Sequence, residues 1–226
     1  LPFFVLFYIF IYMITQTTNL KKYTKVLDNV YNNFIEPVLN DEQLENHFSN
    51  WTTPPPYFKK NTIDRCDLKT YESVKNKDNN FIAVDDKVVF TFANGGLGAI
   101  TNEITDILSD DIGVDNLSFS NKPLHYRKYK GYNGFMGWHT NCDYPGDRWY
   151  LVYNTDDKSS FTRYIDNDGK MITEWEPKGW SLNHFVIGNC SNPFWHCIHT
   201  NSHRFSLGYR QIESLNKFEW KEVITI

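Results

Sequence analysis

Two stretches of this chain carry side chains suited to metal and anion chemistry. His139-Thr140-Asn141 closes the run GFMGWHTN. On a strand, residues i and i+2 share a face, so His139 and Asn141 are expected to point together at one ion. Further on, Trp195-His196-Cys197-Ile198 precedes the turn-like HTNSH, then Arg204-Phe205-Ser206-Leu207-Gly208-Tyr209-Arg210. By strand parity Arg204, Ser206, Gly208 and Arg210 share one face, and Phe205, Leu207 and Tyr209 the other. That pattern suits a strand with one face sealing a core and the other lining an anion pocket. A lone strand histidine is usually a packing residue. The order and spacing of the two stretches together set these histidines apart.

That order resembles the 2-oxoglutarate/Fe(II)-dependent dioxygenases, especially their prolyl-hydroxylase-like and AlkB-like branches, over Leu124 to Arg210. The resemblance makes His139 the first metal ligand and His196 the distal one, with Asn141 in the place of the family's carboxylate. It makes Arg204 and Ser206 the grip on the far carboxylate of 2-oxoglutarate, with Arg210 in reserve on the same face. Tyr129 falls where these families put a tyrosine on the co-substrate. The implied fold is mainly β with flanking helices: a double-stranded β-helix of jelly-roll, cupin-like form. The implied function is an Fe(II)- and 2-oxoglutarate-dependent hydroxylase that couples decarboxylation to succinate with substrate oxidation. Two imidazoles and a carboxylate leave three positions open on Fe(II) for a keto acid and dioxygen. A guanidinium offers a carboxylate a permanent charge and paired donors. The alternative is a non-catalytic, cupin-like binding or structural protein with a degenerate metal site.

Asn141 leaves the third ligand open. It can bind the ion directly or through water, Asp143 can replace it if the strand bulges near Pro145, or two histidines suffice. His196, His199 and His203 have spacing that would suit a zinc site on a helix, but strand and turn signals surround them, which places His199 and His203 in the turn. His184, on the parity of Leu182 and Val186, is read as a satisfied core or pocket-wall residue. A Cys142–His139 nucleophile pair has no third orienting group.

The elements that must position these residues follow from the pattern. After Pro123, eight short segments alternate with turn signals such as Tyr144-Pro145-Gly146 and Asn167-Asp168-Gly169, which indicates a closed or double-sheet β architecture. Six of the seven Trp fall between Trp138 and Trp220, and aromatics favour pleated surfaces, so the same half is again marked as sheet. Earlier, apolar steps of three and four from Leu20 to Leu39 predict an amphipathic helix stopped near Pro37. A short helix is expected around Asp41 to Phe48, a loop over Asp64 to Asn80, and strands at Phe81 to Val84 and Val88 to Phe92. A helix is expected over Ala99 to Leu108. The preceding Gly95 to Gly98 lacks the ending of a phosphate loop.

The organisation expected is an apolar extension over 1–12, helical and strand support over 13–123, and the β-helix over 124–226. Leu1 to Ile14 is apolar but shorter than the roughly 20 residues of a membrane span, and Met13 is read as the native start. Net charge of -4 argues against a phosphate-backbone binder, leaving a small-molecule co-substrate and an unidentified substrate as the expected partners. Four cysteines without a CxxC pair suggest buried or idle thiols in a reducing, cytoplasmic setting.

Overall fold

A computed structural model describes residues 14–40, 63–76, 89–91, 97–119, 123–127 and 133–211. The apolar run 1–12, Met13, the expected helix at 41–48, the expected strand at 81–84 and Tyr129 lie outside those residues.

Each of the eight segments after Pro123 forms a strand. With three strands from earlier in the chain they build two antiparallel sheets. The larger contains β1 (Thr15–Thr17), β9 (Gly179–Ile187), β6 (Gly146–Asn154), β11 (Arg204–Gln211), β4 (Leu124–Tyr126) and β2 (Val89–Thr91) in that order, with β3 (Leu117–Phe119) also paired to β11. The smaller runs β5 (Gly134–His139), β10 (His196–Thr200), β7 (Ser160–Ile165), β8 (Met171–Glu176). The Asn167-Asp168-Gly169 turn joins β7 to β8: Gly169 has φ +75°, and Asp166 N–H donates to Lys170 O at 2.9 Å. A side chain in that left-handed region is strained, hence glycine.

Strand parity separates two environments. Trp149, Leu151, Leu182, Phe205, Leu207 and Tyr209 leave the larger sheet outward. They bury against Val26, Leu27, Val30 and Ile35 of the N-terminal helix and Ile104 and Leu108 of α4 (Leu97–Ile112). Each such side chain contributes roughly 1.5–3 kcal/mol on burial, so this layer fixes the sheet's curvature and frees its other face for polar groups. The inward face carries Tyr126, Arg148, Tyr150, Asn154, Asn183, Arg204 and Ser206 by the same register.

The support differs from expectation in two places. The N-terminal helix runs on through Pro37: α1 (Thr24–Val30) passes into a π turn (Tyr31–Ile35), then α2 (Glu36–Leu39). The π turn resets the hydrogen-bond ladder, so Pro37 sits in the first turn of α2, where its missing N–H costs nothing. Residues 64–80 are not all loop. A 3-10 turn (Ile63–Cys66) leads into α3 (Leu68–Val74), whose N-cap Asp67 accepts from Thr70 N–H at 2.7 Å. Among the described residues no helix is long and apolar enough to cross a membrane.

Candidate metal centre and its polar interior

His139 is the last residue of β5, and its cross-strand partner is His196, the first of β10. Antiparallel pairing therefore brings the two imidazoles together, with ring centroids 4.0 Å apart. Each ring is oriented by its own backbone: His139 Nδ1 donates to Gly137 O at 2.8 Å and His196 Nδ1 to Phe194 O at 3.0 Å. With Nδ1 protonated in both, Nε2 is the lone-pair nitrogen, which is how metal-ligating histidines are usually held. Both rings are buried at 2% exposure, and burial holds His139 neutral down to about pH 4. Burial, then the neighbouring His139, depresses His196 well below the ordinary histidine range. Two neutral imidazoles at neutral pH are what a divalent ion requires.

Asn141 reaches the same place by a route that differs from expectation. The strand ends at His139, so Asn141 does not share its face by strand parity. It sits instead in a turn at φ +54°, and Tyr144 N–H donates to its carbonyl at 3.1 Å. Asparagine tolerates this left-handed backbone better than most residues. The turn lays Asn141 Nδ2 3.3 Å from His196 Nε2. A half-turn of the amide would present Oδ1 to an ion held by the imidazoles. Asp143 is exposed, with Oδ1 3.8 Å from Cys190 Sγ.

Cys142 is not an idle thiol or a nucleophile. It forms a disulfide with Cys190, which staples the Asn141 turn to the loop feeding His196. A disulfide fits an oxidising environment better than the reducing one expected from cysteine spacing. Cys66 and Cys197 are free and buried. His199 lies in β10, not in a turn, stacked on Phe161 at 5.1 Å. His203 does lie between strands, with Nδ1 3.0 Å from His125 Nε2, and no zinc cluster forms from these histidines. His184 is satisfied: its Nε2 lies 2.7 Å from Asp147 Oδ1, and it stacks on Trp149.

Arg204 is buried on the inward face as parity requires, but a carboxylate of this chain already meets it. Glu176, fully buried at the end of β8, accepts from Arg204 Nε at 2.7 Å and Nη2 at 2.9 Å. It also accepts from Thr162 Oγ1 at 3.1 Å, Asn183 Nδ2 at 3.2 Å and Asn154 Nδ2 at 3.3 Å. Tyr126 lies beneath the guanidinium, 5.1 Å away. Five donors close around one carboxylate in a neutral cluster that leaves Arg204 Nη1 and Asn154 Oδ1 buried with no partner among the described residues. Glu176 thus takes the Nε/Nη2 edge of Arg204 that the resemblance gives to the far carboxylate of 2-oxoglutarate, while Ser206 lies buried on the same inward face. No motif marks Glu176: it shares strand parity with the half-buried Glu174, and neither residue type nor spacing separates the two acids.

No protein-family model matches the chain, and no curated protein does. Among solved structures, a Pseudomonas putida prolyl-4-hydroxylase aligns with 75% of this chain and all of its own length, at 12% identity and a TM-score of 0.35. A likeness at that level leaves fold and function to be argued from the residues of this chain.

Proposed function

We propose that this chain is a double-stranded β-helix protein that holds one divalent metal ion, Fe(II) by the residues it resembles, on His139 and His196 with Asn141 as third ligand. The strand order supports the fold reading, because the eight strands after Pro123 divide as β9-β6-β11-β4 in one sheet and β5-β10-β7-β8 in the other, as a chain wound helically through two sheets would. The facing neutral imidazoles carry the metal reading. Both have Nδ1 tied to a backbone carbonyl, which leaves both Nε2 atoms to an ion. Bound there, Fe(II) would supply a redox-active centre with open positions. The protein's own part is to hold the imidazoles neutral, fix their tautomers and bring Asn141 in from the turn.

An oxygenase of the 2-oxoglutarate type needs a cation for the far carboxylate, and Glu176 takes Arg204 out of that role. Turnover of 2-oxoglutarate would then depend on the reserve cation, Arg210, and without it the second reading, a metal-binding barrel without that turnover, holds. Anaerobic Fe(II) titration, with Co(II) absorption as a spectroscopic stand-in, tests the metal centre. One equivalent should bind the full chain, and His139→Ala and His196→Ala should abolish it. Equal binding by both variants would refute the site. Succinate release from 2-oxoglutarate would favour the oxygenase over the binding barrel.

A further inference from the structure

We propose that Arg148 and Arg210 form an oxyanion subsite at the mouth of the barrel beside His196, taking a carboxylate or phosphate group of the ligand that the metal centre serves. The inference rests on the inward placement of that centre, and its ligand chemistry is independent of Arg204. Arg148 is only 5% exposed, yet among the described residues it forms no ion pair. Its one hydrogen bond among the described residues runs from Nη2 to the carbonyl of Tyr144. Nε and Nη1 have no acceptor among the described residues, and each can give an oxyanion one charge-assisted bond from its own side of the guanidinium. Buried charges are normally paired, so a guanidinium whose acceptor among the described residues is a carbonyl alone points to a counter-charge that arrives with a ligand.

The surroundings agree. Arg210 is the cross-strand partner of Arg148, on the same inward parity, and stacks over the Tyr144 ring at 4.8 Å. Arg148 in turn helps depress His196, which places its charge beside the imidazole pair. Of the nearby acids, Asp147 acts on Arg148 through its charge but is bonded to His184 on the opposite face, and Asp143 is exposed beside Cys190. Tyr144, whose carbonyl and ring contact the two arginines, belongs to the turn that also carries Asn141 and is stapled by Cys142–Cys190. One rigid turn therefore serves both the metal centre and the anion subsite.

The test is calorimetric titration of malonate and, separately, inorganic phosphate into the metal-free full chain, with Co(II) absorption read in parallel. The wild type should bind at least one of the two, and which one binds distinguishes a carboxylate ligand from a phosphorylated one. Arg148→Gln should weaken that binding at least tenfold and Arg210→Gln several-fold, both with Co(II) binding intact. Should Arg148→Gln fail to fold, Arg210→Gln alone decides. Absence of binding by either anion at millimolar concentration overturns the subsite, as does unchanged affinity in the variants. Loss of Co(II) binding from the wild type with anion binding retained would instead refute the metal centre and leave the subsite standing.

Discussion

Replacing Glu176 by Gln is the sharpest perturbation of the polar interior. The pair it breaks is almost completely dry, with Arg204 at 2% exposure and Glu176 at 0%. Glutamine keeps the shape but removes the charge, and turns an amide N–H2 towards donors from Thr162, Asn154 and Asn183. Arg204 then remains buried without a counter-charge. Breaking one side of a buried pair costs about 3–5 kcal/mol. At roughly 2–4 °C per kcal/mol for a chain of this size, the melting temperature should fall by about 6–20 °C. Replacing both partners, Glu176→Met with Arg204→Met, should recover most of the loss, because neither charge is then stranded. Urea unfolding of the metal-free chain with the two single variants and the double variant measures the coupling. A cost below about 1 kcal/mol for Glu176→Gln would refute the closed cluster. So would 2-oxoglutarate binding to the wild type that Arg204→Ala abolishes, since the guanidinium would then be open to a ligand.

Asn141→Asp should tighten Fe(II) roughly tenfold or more, because a carboxylate sets a full negative charge beside the ion; anaerobic titration showing no change would put Asn141 outside the ligand set. His199 is buried, and burial followed by the nearby Arg163 lowers its pKa to about 4. Its unfolded form takes a proton near pH 6.5, so its contribution is full above that pH and is lost as pH falls towards 4, about 3 kcal/mol in all. His199→Leu should flatten that part of the stability profile in urea unfolding at successive pH values; an unchanged slope would refute the assignment. Cys142→Ser should destabilise by about 4 kcal/mol on loop-closure entropy for a 48-residue separation, and should weaken metal binding by freeing the Asn141 turn. Chemical denaturation with parallel Co(II) titration checks both effects, and metal affinity equal to wild type would show that the turn holds without its staple.

Eight strands were legible in the sequence, because alternation and turn residues are local and the period of two leaves little choice. The inward parity of Arg204 and Ser206 was legible for the same reason, as was the satisfied state of His184. His139 and His196 could be singled out by type and spacing. What the chain's order could not convey was which charges meet. Strand parity says that Arg204 points inward; only the packing of β8 against the larger sheet puts Glu176 on it. Parity placed Asn141 beside His139, whereas a left-handed turn brings it to His196 after the strand has ended. The pairing of Cys142 with Cys190 and the burial of Arg148 without an ion pair among the described residues likewise depend on contacts between segments distant in sequence. Local pattern determines which face a side chain takes, since that follows from backbone geometry within a few residues. Whether a buried cation finds a carboxylate or waits for a ligand depends on what another strand delivers across the interior, and only the tertiary structure decides that.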